Sequence, residues 1–339
     1  MKIVRISING FGRIGRSFFR AALGMPGFDI VAVNDLTDTK TLAYLLKYDS
    51  VYGRYRKAVE ATDGYLKVEG KDVKVLAEKD PAKLPWKDLG VDIVVESTGF
   101  FTSGEKAKAH LDAGAKRVVI TAPAKGDVTT ALIGVNDTLF KGVGPITCNA
   151  SCTTNSVAPV MSILLESFGV KKATMVTVHS YTATQKLVDG PDAKDVRRGR
   201  AAAVNIVPST TGAAEAVIQS IPELEGKFDA VAIRVPTIAG SLSVISALIG
   251  KEVSKDEVNA VFKKSSEEPR WSKVLKVSED EPVSTDIIGE PYGAVIDLAM
   301  TKVVDGNLVS VFSWYDNEAG YTATLVEHVK RVAANYNYE

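Results

Sequence analysis

The run Cys148-Asn149-Ala150-Ser151-Cys152-Thr153-Thr154-Asn155 gathers both cysteines of the chain among hydroxyl and amide side chains. The residues after it predict a helix over 152–168, which sets Cys152 in the first helical turn. There the unpaired backbone N–H groups and the positive end of the helix dipole favour a thiolate. Cys148 lies in the approach to that helix and fits a buried structural role, so Cys152 is the candidate nucleophile. With three histidines and no CxxC pair, no metal site is expected. A thiolate nucleophile needs a base within reach. His110 and His328 fall in helical stretches and read as core or surface residues. His179 ends a strand-like run and precedes Ser180-Tyr181-Thr182, which leaves it as the partner by elimination.

A second constellation binds rather than reacts. Gly10-Phe11-Gly12-Arg13-Ile14-Gly15 fits G-x-G-x-x-G, follows a strand-like run and opens a helix. In such a loop the first glycine allows a tight turn, the second lets the backbone approach a pyrophosphate, and the third packs helix on strand. Asp35 ends the next strand, where its carboxylate can accept hydrogen bonds from a ribose and would repel a 2′-phosphate. The set points to a dinucleotide, with NAD ahead of NADP. Ser97-Thr98-Gly99 and Thr121-Ala122-Pro123 end two further strands at the same sheet edge.

Three features suit an anion. Arg197-Arg198-Gly199-Arg200 is the densest basic run, although such runs are usually solvated. Thr210-Thr211-Gly212 precedes a short helix and can offer hydroxyl and amide donors. Arg234 ends the apolar run AVAIRVP, an odd place for a charge without a partner or a bound anion.

The elements that must position these groups follow from the hydrophobic pattern. KIVRISI, GRSFFRAALG and DIVAVND read as strand, helix and strand, and VDIVVES, a helix over 105–113 and RVVITAP repeat the unit. Their unbroken apolar strands suit a parallel sheet covered on both faces. Thr102 and Glu105 have the spacing of a capping box, as have Ser254 and Glu257. After about residue 170 the runs ATMVTVHSYT, SLSVISALIG and NLVSVFSWY alternate with period two, as an antiparallel or mixed sheet would. A helix over 318–335 ends the chain.

At 339 residues the natural expectation is two domains. Lys+Arg and Asp+Glu balance at 41 each, so no global charge favours nucleic acid or an anionic membrane as partner. The start, MKIVRISINGFG, lacks the apolar core of a signal peptide. The longest uncharged stretch, 142–165, carries too many hydroxyls, amides and prolines for lipid. Two cysteines make no disulfide framework, and a reducing, cytoplasmic setting is expected.

INGFGRIGR, AVND, STGFF, ASCTTN, HSYTATQ, the arginine-rich loop before PSTTGAA, and WYDNEAGY stand here in the order found in phosphorylating glyceraldehyde-3-phosphate dehydrogenases. The chain resembles that family over nearly its whole length, with ASCTTN the most specific motif. The resemblance implies an α/β protein. An N-terminal Rossmann domain, a doubly wound parallel sheet, would span 1–151 and be completed by a C-terminal helix over 318–339. An α+β catalytic domain with a mixed, largely antiparallel sheet would span 152–317. It makes Cys152 the nucleophile and His179 its base. Gly10, Gly12, Arg13, Ile14, Gly15, Asp35, Lys79, Thr121 and Asn317 would bind NAD. Thr182 and Arg234 would take the substrate's phosphate. Ser151, Thr211 and Gly212 would take inorganic phosphate, with Arg198 assisting, and Thr153 would contact substrate or phosphate.

Leu36 and Pro191 resemble the NAD-specific members, whereas Gly190 departs from the leucine of many bacterial ones. Residues 181–204 would reach a neighbouring subunit in a homotetramer. The implied reaction is NAD-dependent conversion of glyceraldehyde 3-phosphate and inorganic phosphate to 1,3-bisphosphoglycerate. Two alternatives stay open here: an erythrose-4-phosphate dehydrogenase using the same nucleophile and base, and an NAD-dependent RNA- or surface-binding role resting on the 197–200 run.

Overall fold

The computed structural model describes residues 3–193 and 195–335, and the elements below are those of the described residues. The chain divides into two compact units. The first comprises residues 1–131, 137–150 and 325–339, and the second residues 132–136 and 151–324.

The first unit is built on a nine-stranded sheet. Its strands are β1 (Val4–Asn9), β2 (Phe28–Asn34), β3 (Val59–Thr62), β4 (Tyr65–Val68), β5 (Lys71–Leu76), β6 (Ile93–Glu96), β7 (Arg117–Ile120), β8 (Thr129–Thr130) and β9 (Ile146–Cys148). They lie in the order β3-β4-β5-β2-β1-β6-β7-β9-β8. From β5 to β8 the neighbours run parallel. Helices α1 (Arg13–Ala22), α2 (Thr39–Lys47) and α3 (Gly104–Asp112) fall between them. Helix α1 buries Gly15, Phe18, Phe19 and Ala22, one stripe at helical spacing.

Two details differ from the sequence expectation. Strands β3 and β4 add an antiparallel edge, turned at Gly64 and Gly70, both at positive φ. Helix α3 is capped by Ser103, whose Oγ accepts from Lys106 N, and not by Thr102. Gly104 N–H is given to Lys125 O, so the chain is held one residue later than the Thr102–Glu105 spacing implies.

The second unit carries an eight-stranded mixed sheet. It contains β10 (Val170–Ser180), β11 (Val207–Ser209), β12 (Phe228–Val235), β13 (Ser241–Ile249), β14 (Leu275–Ser278), β15 (Ala294–Asp297), β16 (Lys302–Val304) and β17 (Leu308–Tyr315). The order is β11-β12-β10-β13-β17-β15-β14, with β16 on β17. Only β10–β12 and β14–β15 pair parallel. One face is covered by α4 (Cys152–Phe168), α5 (Ala213–Ser220) and α6 (Lys255–Glu267). Helix α4 is buried from Thr153 to Leu164, as an apolar helix inside a domain must be. The other face stays half-exposed and apolar, with Val176, Val178, Val244, Phe312 and Trp314 on it.

Helix α7 (Ala319–Ala334) closes the described chain, and from Leu325 onward it belongs to the first unit. The expected extension of this helix to 339 includes 336–339, which lie outside the described residues. No described helix is long and apolar enough to cross a membrane.

Candidate active site

Helix α4 sets the thiol. Ala150, at φ 49°, turns the chain between β9 and α4, a conformation that costs an L residue roughly 1 kcal/mol or more. Ser151 then caps the helix, its Oγ accepting from Thr154 N at 3.0 Å. Cys152 therefore occupies the first helical position, and its Sγ lies 3.4 Å from His179 Nε2. His179, near the end of β10, is 2% exposed.

Tyr315 ties these two elements together. Its hydroxyl lies 3.0 Å from Thr153 Oγ1 on α4 and 2.8 Å from Thr177 Oγ1 on β10. Its ring meets the His179 ring edge-on, with centroids 5.8 Å apart. Burial pushes the Tyr315 phenol up, which keeps it a neutral hydrogen-bonding group.

The parallel register of β10 and β12 places Arg234 directly beside His179. Arg234 Nη1 lies 2.7 Å from His179 Nδ1, and Ser180 O lies 2.7 Å from the same nitrogen. A guanidinium can only donate and a carbonyl can only accept, so Nδ1 satisfies one of them at a time. With Nδ1–H given to Ser180 O, the Nε2 lone pair faces the sulfur and the ring is a base. With Arg234 donating to Nδ1, the ring proton sits on Nε2 and faces the sulfur instead. Both forms are neutral. Burial, and then the Arg234 charge, push the histidine down to about 3.

Burial also pushes the Cys152 thiol up, while the Arg234 charge, the Thr153 hydroxyl and the N–H groups of the first turn pull it back. The helix-start position thus does not by itself yield the thiolate expected from sequence, because desolvation outweighs it.

The anion-binding candidates divide. Arg198 turns inward, its Nε donating to Ser209 Oγ at 2.9 Å and its Nη2 to Thr210 O at 3.0 Å. That fixes a guanidinium beside Thr211 and Gly212, the latter the first cap residue of α5. Burial lowers the Arg234 pKa, and the like charge of Arg198 adds to that, so an anion shared by the two would relieve a repulsion. Arg200 pairs with Asp189 at 3.0 Å, so the 197–200 run is not a uniformly free basic surface. Thr182 Oγ1 pairs with Thr184 Oγ1 at 2.9 Å. Thr153 is 4% exposed, and its hydroxyl faces Tyr315 and the sulfur. The Ser151 hydroxyl is engaged with both Thr154 N and Thr154 Oγ1.

In the first unit, a cavity of about 550 Å³ opens at the carboxyl ends of the parallel strands. Gly10, Gly12, Asp35 and Lys79 line it, with Leu36, Phe100 and Phe101 as apolar walls. A Cβ on Gly10 would fall 2.7 Å from Thr98 N, and one on Gly15 would fall 2.1 Å from Gly10 O. A Cβ on Gly12, at the start of α1, would meet nothing within 4 Å. Two glycines are thus required by packing, and the third leaves room for a ligand. Asp35 Oδ2 accepts from Phe11 N at 2.8 Å and Oδ1 from Thr37 N at 3.0 Å, which aims the carboxylate while lone pairs remain for a diol.

These groups fit a dinucleotide: an open helix N-terminus for the phosphates, a carboxylate for the ribose and aromatic walls for a base. Arg13 pairs with Asp49 at 2.5 Å, and neither it nor Ile14 and Gly15 line the cavity. Thr121 is not a lining residue either. Asn317 belongs to the second unit, where its Oδ1 accepts from Ser241 Oγ at 3.1 Å, and Ser241 Oγ accepts from Ser180 N at 3.1 Å.

Comparison with known proteins gives a consistent result. Residues 4–104 match the family model described as glyceraldehyde 3-phosphate dehydrogenase, NAD binding domain. Residues 151–317 match the one described as glyceraldehyde 3-phosphate dehydrogenase, C-terminal domain. The chain is 54% identical to a glyceraldehyde-3-phosphate dehydrogenase of Thermotoga maritima, covering 96% of this chain and 98% of that one. It is 50% identical to that of Geobacillus stearothermophilus over 98% of each chain. With that of Clostridium pasteurianum it shares 48% identity over 98% of this chain and 99% of the other.

Proposed function

The chain belongs to the glyceraldehyde-3-phosphate dehydrogenase family, and on that premise we propose how its residues divide the work of oxidising and phosphorylating glyceraldehyde 3-phosphate with NAD. The observation that carries the reading is the Cys152 Sγ–His179 Nε2 contact of 3.4 Å with Arg234 hydrogen-bonded behind the ring.

The substrate's phosphate draws Arg234 and Thr182 toward itself, and that releases His179 Nδ1. Its Nδ1–H then goes to Ser180 O and Nε2 becomes the base. The Cys152 proton passes to Nε2, the sulfur adds to the aldehyde carbon, and a hemithioacetal forms on the protein. The N–H of Cys152 and the protonated ring stabilise the oxyanion. His179 then removes the proton of the new hydroxyl. Gly10, Gly12, Asp35 and Lys79 would hold NAD, which when bound would accept the hydride whose loss turns the hemithioacetal into a thioester. Inorganic phosphate, oriented by Arg198, Thr211, Gly212 and the Ser151 hydroxyl, attacks that thioester and frees Cys152 again. The acyl phosphate that leaves is 1,3-bisphosphoglycerate.

Two apolar surfaces support assembly as a homotetramer. One is the uncovered face of the second sheet, and the other is the loop region with Leu187, Val188, Val196, Val204 and Ile206 exposed at 71% or more. Two distinct self-complementary faces are what dihedral symmetry uses. Sedimentation should find four chains, and a monomer would remove this part of the reading. A cytoplasmic, reducing setting goes with it, since Cys152 must stay a free thiol.

The decisive assay follows absorbance at 340 nm with NAD and glyceraldehyde 3-phosphate, with and without inorganic phosphate. Sustained turnover that requires phosphate is expected. Sustained turnover only on erythrose 4-phosphate would transfer the same chemistry to the longer aldehyde.

A further inference from the structure

A carboxylate that this chemistry does not use lies beneath the first unit's cavity. Glu96 ends β6 at 1% exposure, and both of its oxygens meet donors. Oε1 accepts from Thr98 N at 2.9 Å and from the Thr98 hydroxyl. Oε2 accepts from Asn9 Nδ2 at 2.6 Å and from His110 Nε2 at 3.0 Å. The histidine's part is fixed by Trp86. Its Nε1–H can only donate, and it lies 3.0 Å from His110 Nδ1. Nδ1 therefore accepts, and the ring proton sits on Nε2, facing the carboxylate.

Each limb of this network ends on a different wall of the cavity. On one side the Thr98 hydroxyl, having given its proton to Glu96, accepts from Phe100 N at 3.1 Å. On the other, Asn9 Oδ1 accepts from Asn34 Nδ2 at 2.7 Å. The Asn34 amide then clasps Glu78, accepting from its N at 2.9 Å and donating to its O at 2.8 Å. Thr98, Phe100, Asn9, Asn34 and Glu78 all line the cavity. Glu96 and His110 do not.

We infer that Glu96, oriented by His110 and Trp86, is a positioning residue for dinucleotide binding, fixing the two walls of the adenosine pocket at their working separation. The inference rests on the reading of this unit as the NAD site. A buried ionic network with every partner satisfied rigidifies what it touches, and walls fixed in advance need no ordering when ligand arrives. An amide in place of the carboxylate cannot serve. Turned one way, its NH2 faces two donors, Asn9 and His110; turned the other, the Thr98 hydroxyl can reverse to accept it, but the Thr98 N–H loses its acceptor.

The test measures calorimetric Kd for NAD and for ADP-ribose in the absence of aldehyde, beside the rate of Cys152 alkylation by iodoacetamide. Glu96→Gln should weaken both ligands by the same factor, roughly tenfold, the scale of one buried charge-assisted hydrogen bond. Cys152 alkylation should not change, and KM for NAD should rise far more than kcat falls. If Glu96→Gln does not fold, His110 decides. His110→Gln still donates to Glu96 and should bind ADP-ribose nearly as the parent does, whereas His110→Met should not. Folded Glu96→Gln with parental Kd, or equal binding by the two His110 variants, would overturn the inference. A parent protein that binds neither NAD nor ADP-ribose would instead refute the reading of the unit as the NAD site.

Discussion

The sulfur of Cys152 and the ring of His179 were both named from sequence, yet what makes them a pair is the arginine that reaches the ring's far nitrogen. Cys152→Ser should abolish turnover and leave NAD affinity unchanged, because the cavity lined by Gly12 and Asp35 draws on the other unit. His179→Asn should lower kcat by roughly two to four orders of magnitude, the usual worth of a positioned base. Parental kcat in that variant, measured by NAD reduction at saturating substrates, would remove His179 from the mechanism. Tyr315 was not foreseen. Its hydroxyl joins residues 162 and 138 positions away in the chain, and no local spacing reports such a contact. Its only trace is parity: on β17 it falls on the buried face, where a hydroxyl needs partners. The Thr153 partner was hidden from sequence for the same reason, since that hydroxyl meets Tyr315 only in the fold.

Whole elements were easier to read than single contacts. The helix over 152–168 and the Ser254–Glu257 capping box stand as the sequence implies, because caps and apolar periodicity are local properties. Ser254→Ala should cost about 1 kcal/mol of stability and lower the thermal midpoint by a few degrees, with turnover untouched. An unchanged midpoint by calorimetry would mean that α6 is held by packing alone. The Ser103 cap and the β3–β4 edge escaped the sequence for opposite reasons. Thr102 and Ser103 are both fit to cap, and the choice falls to a bridge with Lys125, distant in sequence. The β3–β4 edge is two four-residue strands in which buried Val59, Leu66 and Val68 are interrupted by exposed or charged residues, so they lack the unbroken apolar run that betrays the parallel ones.

For the molecule as a whole, acid is the informative stress. His328 is fully buried, with Nδ1 3.0 Å from Ala131 O and Nε2 2.8 Å from Thr147 Oγ1, and burial holds it down to about 4. An unfolded histidine titrates near 6.5. As pH falls below that value, the unfolded chain gains a proton that the fold refuses until about 4, so stability drains away across that window. The His328 share of that loss should be on the order of 2 kcal/mol between pH 7 and pH 5, read in denaturant unfolding as the difference between the parent and His328→Gln, because His179, held down to about 3, adds a share of its own. A flat profile in the parent would place His328 outside the linkage. The division into two units has a consequence for descent. The thiol, its base and both arginines come from residues 151–324, and the glycine cradle and its carboxylates come from residues 1–131. Mutation can therefore edit which aldehyde is accepted without rewriting how the nucleotide is held. A lineage can inherit one half almost unaltered while the other drifts toward a new substrate.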